Sequence, residues 1–170
     1  CQDRGSKCDA REQGFFGRIG IGGLIKNIHI LGANLTLSGS GIGTLGGLVA
    51  VNEGVVEQCS FTTGSNQKLS GNGINNQYFG GLVGINQGVI RQSRFYGSQI
   101  NGCVATGLLT GINQRLETRS ELESGLIIDS YAQGSIDIVN SQDCDFLGGL
   151  VGWNEYGNIT NSYAAVTFLD

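Results

Sequence analysis

One heptapeptide returns along this chain: GGLVAVN at 46–52, GGLVGIN at 80–86, GLLTGIN at 107–113 and GGLVGWN at 148–154. A unit repeating every few tens of residues is a supersecondary element that cannot bury its apolar face alone, so copies stack into a solenoid. Function in such a chain has to be sought along a ribbed surface.

A second block follows each copy: EGVVEQCSF at 53–61, QGVIRQSRF at 87–95, SGLIIDSYA at 124–132 and YGNITNSYA at 156–164. An earlier unit opens with GFFGRI at 14–19 and continues with GGLIKNIHI at 22–30, so five units cover residues 14–168. Aligning Gly14, Gly47, Gly81, Leu108 and Gly149 gives spacings of 33, 34, 27 and 41, the longest holding the charged run RLETRSELE at 115–123. Within the heptapeptide the residues alternate as a strand requires, Leu82, Gly84 and Asn86 on one face and Gly81, Val83 and Ile85 on the other. Third segments lie between the blocks, at 35–43, 98–105 and 135–146, each β-prone and broken by Gly, Asn or Ser. The expected fold is an all-β, single parallel β-helix of about five coils with three short strands per coil. Successive coils would sit about 4.8 Å apart and the stack would rise about 24 Å.

Composition agrees. There are 30 Gly, no Pro and 14% charged residues, against about 5% Pro and about 25% charge in an average domain. Proline removes a ladder hydrogen bond from a central strand, and Gly permits the positive φ of tight corners. Asn52, Asn86, Asn113 and Asn154 close the heptapeptides, fit a left-handed corner position and are placed to stack as a ladder. The 170 residues, 39% hydrophobic, suffice for one core: residues 1–13 read as an extension and 14–170 as the solenoid, with an inserted loop at 115–123. No run of 18 apolar residues predicts a membrane span, and no signal-peptide pattern is visible. With no Met in the sequence, residue 1 is not an initiator, and a processed or excised chain is expected.

The five cysteines divide by position. Cys103 and Cys144 each stand four residues before a heptapeptide, hence in one column of neighbouring coils, at a separation a disulfide spans. Cys1 and Cys8 are placed to close a small loop, and Cys1 also admits lipid modification. Cys59 takes the place of the serine at 93, 130 and 162, which predicts a buried free thiol. Disulfides would place the chain in an oxidising, exported setting. One His and no Cys-x-x-Cys pair argue against zinc, and no cofactor is expected.

Other chemistries find little support. Glycan acid–base catalysis needs two carboxylates held close together, and the candidates are Asp143 with Asp145, Asp129 with Asp137, and Glu117, Glu121 and Glu123. His29 alternates with Ile28 and Ile30, so its ring faces outward with no nucleophile set beside it by sequence. Gly41-x-Gly43-x-x-Gly46 precedes a strand, not the helix a dinucleotide site requires. With a net charge of −4, and only Arg91 and Arg94 coming close to the clustered basic surface that phosphate binding needs, nucleic acid is a poor partner. Thr36, Thr62, Thr110 and Thr167 are too scattered for an ice-binding array. Asn34-Leu-Thr36 and Asn158-Ile-Thr160 have the form of N-glycan acceptors.

GGLVGINQGVIRQSRFYG and GGLVGWNEYGNITNSYA resemble the GLUG repeat of bacterial surface proteins. The resemblance implies a secreted or cell-surface β-solenoid, serving as stalk or binding surface, with no catalytic residues. The chain departs from the pattern at Cys59, Leu108 and Thr110 and in the 115–123 insertion.

Were Leu48, Leu82, Leu109 and Leu150 to point inward, then Val49, Val51, Val83, Ile85, Ile112, Val151 and Trp153 would form an outward apolar ridge, the mark of an interaction surface. Residues 160–168 still obey the repeat, and strand edges without a cap invite pairing. The leading expectation is therefore a non-enzymatic, extracellular or cell-surface structural or adhesive module. It would associate with itself, as a homo-oligomer or filament, or with neighbouring domains of a larger surface protein. The rival is a carbohydrate-binding or carbohydrate-cleaving β-helix. Tyr131 and Tyr163, with Trp153, Tyr78 or Tyr96, would then stack on glycans, on a host surface for example.

Overall fold

A computed structural model of the chain describes residues 11–33, 35–38, 43–64, 69–72, 77–101, 104–117, 124–137 and 145–169. Among these there is no helix, and every pairing between strands is parallel. The chain winds as a β-solenoid whose strands fall into four sheets, each crossed once per rung.

The first sheet holds Glu12–Gln13, Gly43–Gly46, Gln77–Gly80, Ala105–Gly107 and Phe146–Gly148. The second holds Phe16–Ile19, Val49–Asn52, Val83–Asn86, Thr110–Gln114 and Val151–Glu155, and the third Leu24–Lys26, Val55–Glu57, Val89–Arg91, Leu126–Ile128 and Asn158–Thr160. The fourth holds His29–Leu31, Ser60–Thr62, Arg94–Asn101, Tyr131–Asp137 and Tyr163–Leu169, broadened on its early rungs by Leu35–Ser38 and Leu69–Asn72. Four full turns separate the first and last strands of the first sheet, and the strands that follow Phe146–Gly148 make a fifth rung. These rungs are the five sequence units.

The expected three strands per coil are four, because the heptapeptide is not one strand. It bends after its first glycine, at 47–48, 81–82, 108–109 and 149–150, and so contributes to both the first and second sheets. Close packing keeps a side chain out of the bend at Gly47. A Cβ on Gly47 would lie 2.2 Å from the Gly81 carbonyl oxygen and 2.7 Å from the Phe61 ring, a separation no side chain tolerates. The bend also defeats simple alternation, since Leu82 and Val83, adjacent in sequence, are both fully buried in the core.

Leu45, Leu48, Phe79, Leu82, Leu108 and Leu109 supply the core from the first bend, and Val56, Ile90 and Ile127 face them from the third sheet. Phe61 and Phe95 stack with centroids 6.4 Å apart on the inner side of the fourth. Burying each such side chain contributes about 1.5–3 kcal/mol.

The left-handed corner lies elsewhere than expected. Asn27, Gln58, Gln92, Asp129 and Asn161 take φ of 48–56° at the junction of the third and fourth sheets, while Asn52, Asn86, Asn113 and Asn154 do not adopt positive φ. Asn52 and Asn86 end their strands, Asn113 and Asn154 stand one residue before the end of theirs, and all four act through their side chains.

Candidate functional surfaces

Parallel in-register stacking places like residues above one another, which decides what every polar column can do. At the junction of the second and third sheets, Asn52 Nδ2 donates to Asn86 Oδ1 (2.8 Å), Asn86 to Asn113 (2.7 Å) and Asn113 to Asn154 (2.7 Å). The same amides also donate to the carbonyls of Val89, Leu126 and Gly125 respectively. Asn52, Asn86 and Asn113 are fully buried, where an unpaired amide would be costly. The row therefore satisfies itself only as a continuous chain.

A second row runs where the third sheet meets the fourth. The Cys59 N–H donates to Ser93 Oγ, the Ser93 N–H to Ser130 Oγ and the Ser130 N–H to Ser162 Oγ, each at 3.1 Å. Each serine hydroxyl donates in turn to the carbonyl two residues before it. Cys59 sits in this row as a buried free thiol, its Sγ 3.2 Å from the Glu57 carbonyl oxygen. Burial holds its pKa above the ordinary thiol value, so it is a poor nucleophile. Cys1, Cys8, Cys103 and Cys144 lie outside the described residues.

The apolar ridge does not form. Val49, Val51, Val83 and Ile112 are at most 3% exposed, and Ile85, Val151 and Trp153 are half-buried. The side chains of the Val51, Ile85, Ile112 and Trp153 column lie beside the first-sheet column that runs from Glu12 to Phe146. Arg18 bonds Glu12 at the first rung, and Phe146 stacks on Trp153, centroids 5.1 Å apart, at the last. The bend that splits the heptapeptide brings these two columns together.

On the outer side of the fourth sheet, Tyr131 and Tyr163 stack almost parallel with centroids 5.1 Å apart. Tyr96 meets Tyr131 edge to face, their hydroxyls 2.5 Å apart. That hydrogen bond raises the Tyr96 pKa above the ordinary phenol value. The inner ring faces of the stacked pair are spent on each other. Tyr163 itself is 62% exposed. In the same column His29 Nδ1 lies 2.8 Å from Ser60 Oγ. Sequence reading set no hydroxyl beside this histidine, since the neighbour is 31 residues away and is brought there by register.

The third sheet carries ions instead. Lys26 Nζ lies 2.7 Å from Glu57 Oε1, and Arg91 donates to Glu57 Oε2 from Nε (2.9 Å) and from its terminal nitrogen. Hydrogen bonding from Lys26 first, and Arg91 next, holds the Glu57 carboxyl below its ordinary pKa.

Of the carboxylate sets only Asp129 with Asp137 lies wholly within the described residues, and this pair does not converge. Asp129 precedes the extended strand Tyr131–Asp137 and Asp137 ends it, and its seven residues span about 23 Å. Asp145 and Glu117 are exposed, while Asp143, Glu121 and Glu123 lie outside the described residues. Among the described residues no three of His, Cys, Asp and Glu gather as a metal site.

Residues 147–168 match the family model of the GLUG motif. The matched stretch enters at the first-sheet strand, crosses the bend, Asn154, the third sheet and Ser162, and ends in the fourth sheet. One GLUG motif is thus one coil of this solenoid, and its Asn and Ser are the rungs of the two polar ladders. No curated protein and no solved structure matches the chain.

Proposed function

We propose that this chain is a non-enzymatic, extracellular structural or adhesive β-solenoid module that makes its contacts through exposed strand edges. The observation that carries this reading is the continuity of the Asn and Ser rows, which bond rungs two to five along the axis and suit a stiff spacer. The similarity of the GLUG coil to repeats of bacterial surface proteins supports the location. With the apolar ridge buried, association falls to the edges, where Leu24, Leu31, Ile159 and Phe168 are exposed on the outermost rungs. Sedimentation velocity over a concentration series tests this: concentration-dependent association is expected, and a strict monomer at the highest concentration would sink self-association.

A carbohydrate-binding role is the second reading, and the exposed Tyr163 ring favours it. Binding on a glycan array that disappears in Tyr163→Ala would establish that reading in place of the first.

A further inference from the structure

Two outward columns of the fourth sheet carry positive charge and no carboxylate. They point outward because the residues between them, Phe61, Phe95 and Ala132, are fully buried. One column runs by register from His29 through Arg94 to Tyr163, the other from Leu31 through Tyr96 to Ala165. Asp129 and Asp137, which bracket Tyr131 in sequence, stand outside both. Arg94 is exposed and, among the described residues, in no ion pair, whereas Arg18, Lys26 and Arg91 are each held by a glutamate.

The groups beside Arg94 are phenols. Tyr131 is its register partner on the next rung, and Tyr96, two residues along the same strand, shares its outer side. The Tyr96 and Tyr131 hydroxyls lie 2.5 Å apart. One phenol donates to the other, so one O–H of the pair is left over to donate. The hydrogen bond to Tyr131 raises the Tyr96 pKa, and the nearby Arg94 charge opposes that rise. A guanidinium with an O–H donor beside it suits a carboxylate, whose two oxygens accept from both. Thr62 and Gln133, on either side of Tyr96 in its column, are neutral groups able to donate to and accept from sugar hydroxyls.

Resting on the carbohydrate-binding reading, we propose that Arg94 and the hydroxyl pair of Tyr96 and Tyr131 hold the carboxylate of a uronic acid within a polysaccharide laid on this sheet. One unpaired guanidinium on a chain of net charge −4 matches acidic sugars spaced by neutral ones, because a sulfate-dense chain would be repelled by the remaining field. The hydroxyl and amide groups around the charge favour a sugar over an acidic peptide.

Titration calorimetry of the full chain tests this with oligosaccharides of hyaluronan and of glucuronoxylan, each as the free acid and as its methyl ester. At least one acid should bind about tenfold or more tighter than its ester, since the ester keeps the sugar contacts and loses the charge-assisted bond. Arg94→Gln should bring that acid down to its ester. Replacing both phenols, Tyr96→Phe with Tyr131→Phe, should weaken the acid by about threefold or more. Arg91→Gln removes an equal charge that Glu57 already holds, and should leave the preference for the acid in place. Equal binding of acid and ester, equal loss in Arg91→Gln, no loss in the phenol variant, or tighter binding of heparin or of polyglutamate overturns the proposal. Esters that bind as well as acids and are lost in Tyr163→Ala would sink it and leave the carbohydrate-binding reading standing. No binding of any glycan removes that reading as well.

Discussion

Early and late rungs share one backbone but are tied together on the outside by opposite chemistry. On the first three rungs the outer columns are ionic: Arg18 joins Glu12 and Glu53, and Glu57 joins Lys26 and Arg91. On the last three the same kinds of position are aromatic: Tyr96, Tyr131 and Tyr163 form one cluster, Phe146 and Trp153 another. Inside, the asparagine and serine rows pass through both regions from the second rung onward. The fold is thus specified by its buried columns, and the outward columns are free to differ. If so, damage to a buried row should be severe in either region, and damage to an outer column mild.

The largest effect is expected at the centre of the asparagine row. Asn86→Leu removes two side-chain bonds between rungs and leaves Asn52 Nδ2 and Asn113 Oδ1 facing a hydrocarbon in a fully buried site. With each stranded group costing about 1–3 kcal/mol, a loss of about 3 kcal/mol in chemical denaturation is expected. Asn154→Leu, at the exposed end of the row, should cost about 1 kcal/mol by the same reasoning. Equal losses at the two sites would show that the row does not act as a buried chain.

That contrast also separates what could be read in the sequence from what could not. The Asn column was legible because GGLVGIN and its relatives keep Asn at one place, and stacking of identical residues follows from any in-register solenoid. Cys59 was legible as a buried thiol because it replaces a serine that recurs. The bend inside the heptapeptide was not, since alternation is a local rule, whereas Leu82 and Val83, adjacent in sequence, are both buried once the chain has bent. The apolar ridge failed for that reason. The left-handed corner was misplaced because Gln58 and Gln92 carry no turn signature, although the aligned second blocks already put them in one column with Asn27, Asp129 and Asn161.

An intermediate effect, of opposite sign, is expected in the first sheet. Thr106 lies in the column of Leu45, Phe79 and Leu147, is fully buried, and its Oγ1 has no hydrogen-bond partner. Thr106→Val keeps the shape and removes an unpaired hydroxyl, so a gain of about 1 kcal/mol is expected. Thr110→Val is its control. Thr110 is equally buried, but its hydroxyl donates to the Ile112 carbonyl at 3.1 Å, and the substitution should bring no gain. A gain at both sites would mean that the buried hydroxyl bond is worth nothing here.

The smallest effect is expected in the ionic outer column, and its pH dependence gives it away. Glu57 has a folded-state pKa below its ordinary value because Lys26 and then Arg91 bond its charged form. A depressed carboxylate pKa adds stability that is present in full above the unfolded-state value. That contribution is lost as pH falls through the folded-state value, so it fades below about pH 4. Glu57→Gln should therefore lower the midpoint of urea unfolding only modestly at pH 7, because Glu57 is buried but its partners Lys26 and Arg91 face solvent and are screened by it. It should also flatten the fall of that midpoint below about pH 4. Tyr163→Phe, in the aromatic column, should leave the acid limb as steep as in the parent chain. If Glu57→Gln leaves that limb unchanged as well, the ionic column contributes nothing to acid sensitivity, and the early and late rungs differ in composition without differing in what holds them together.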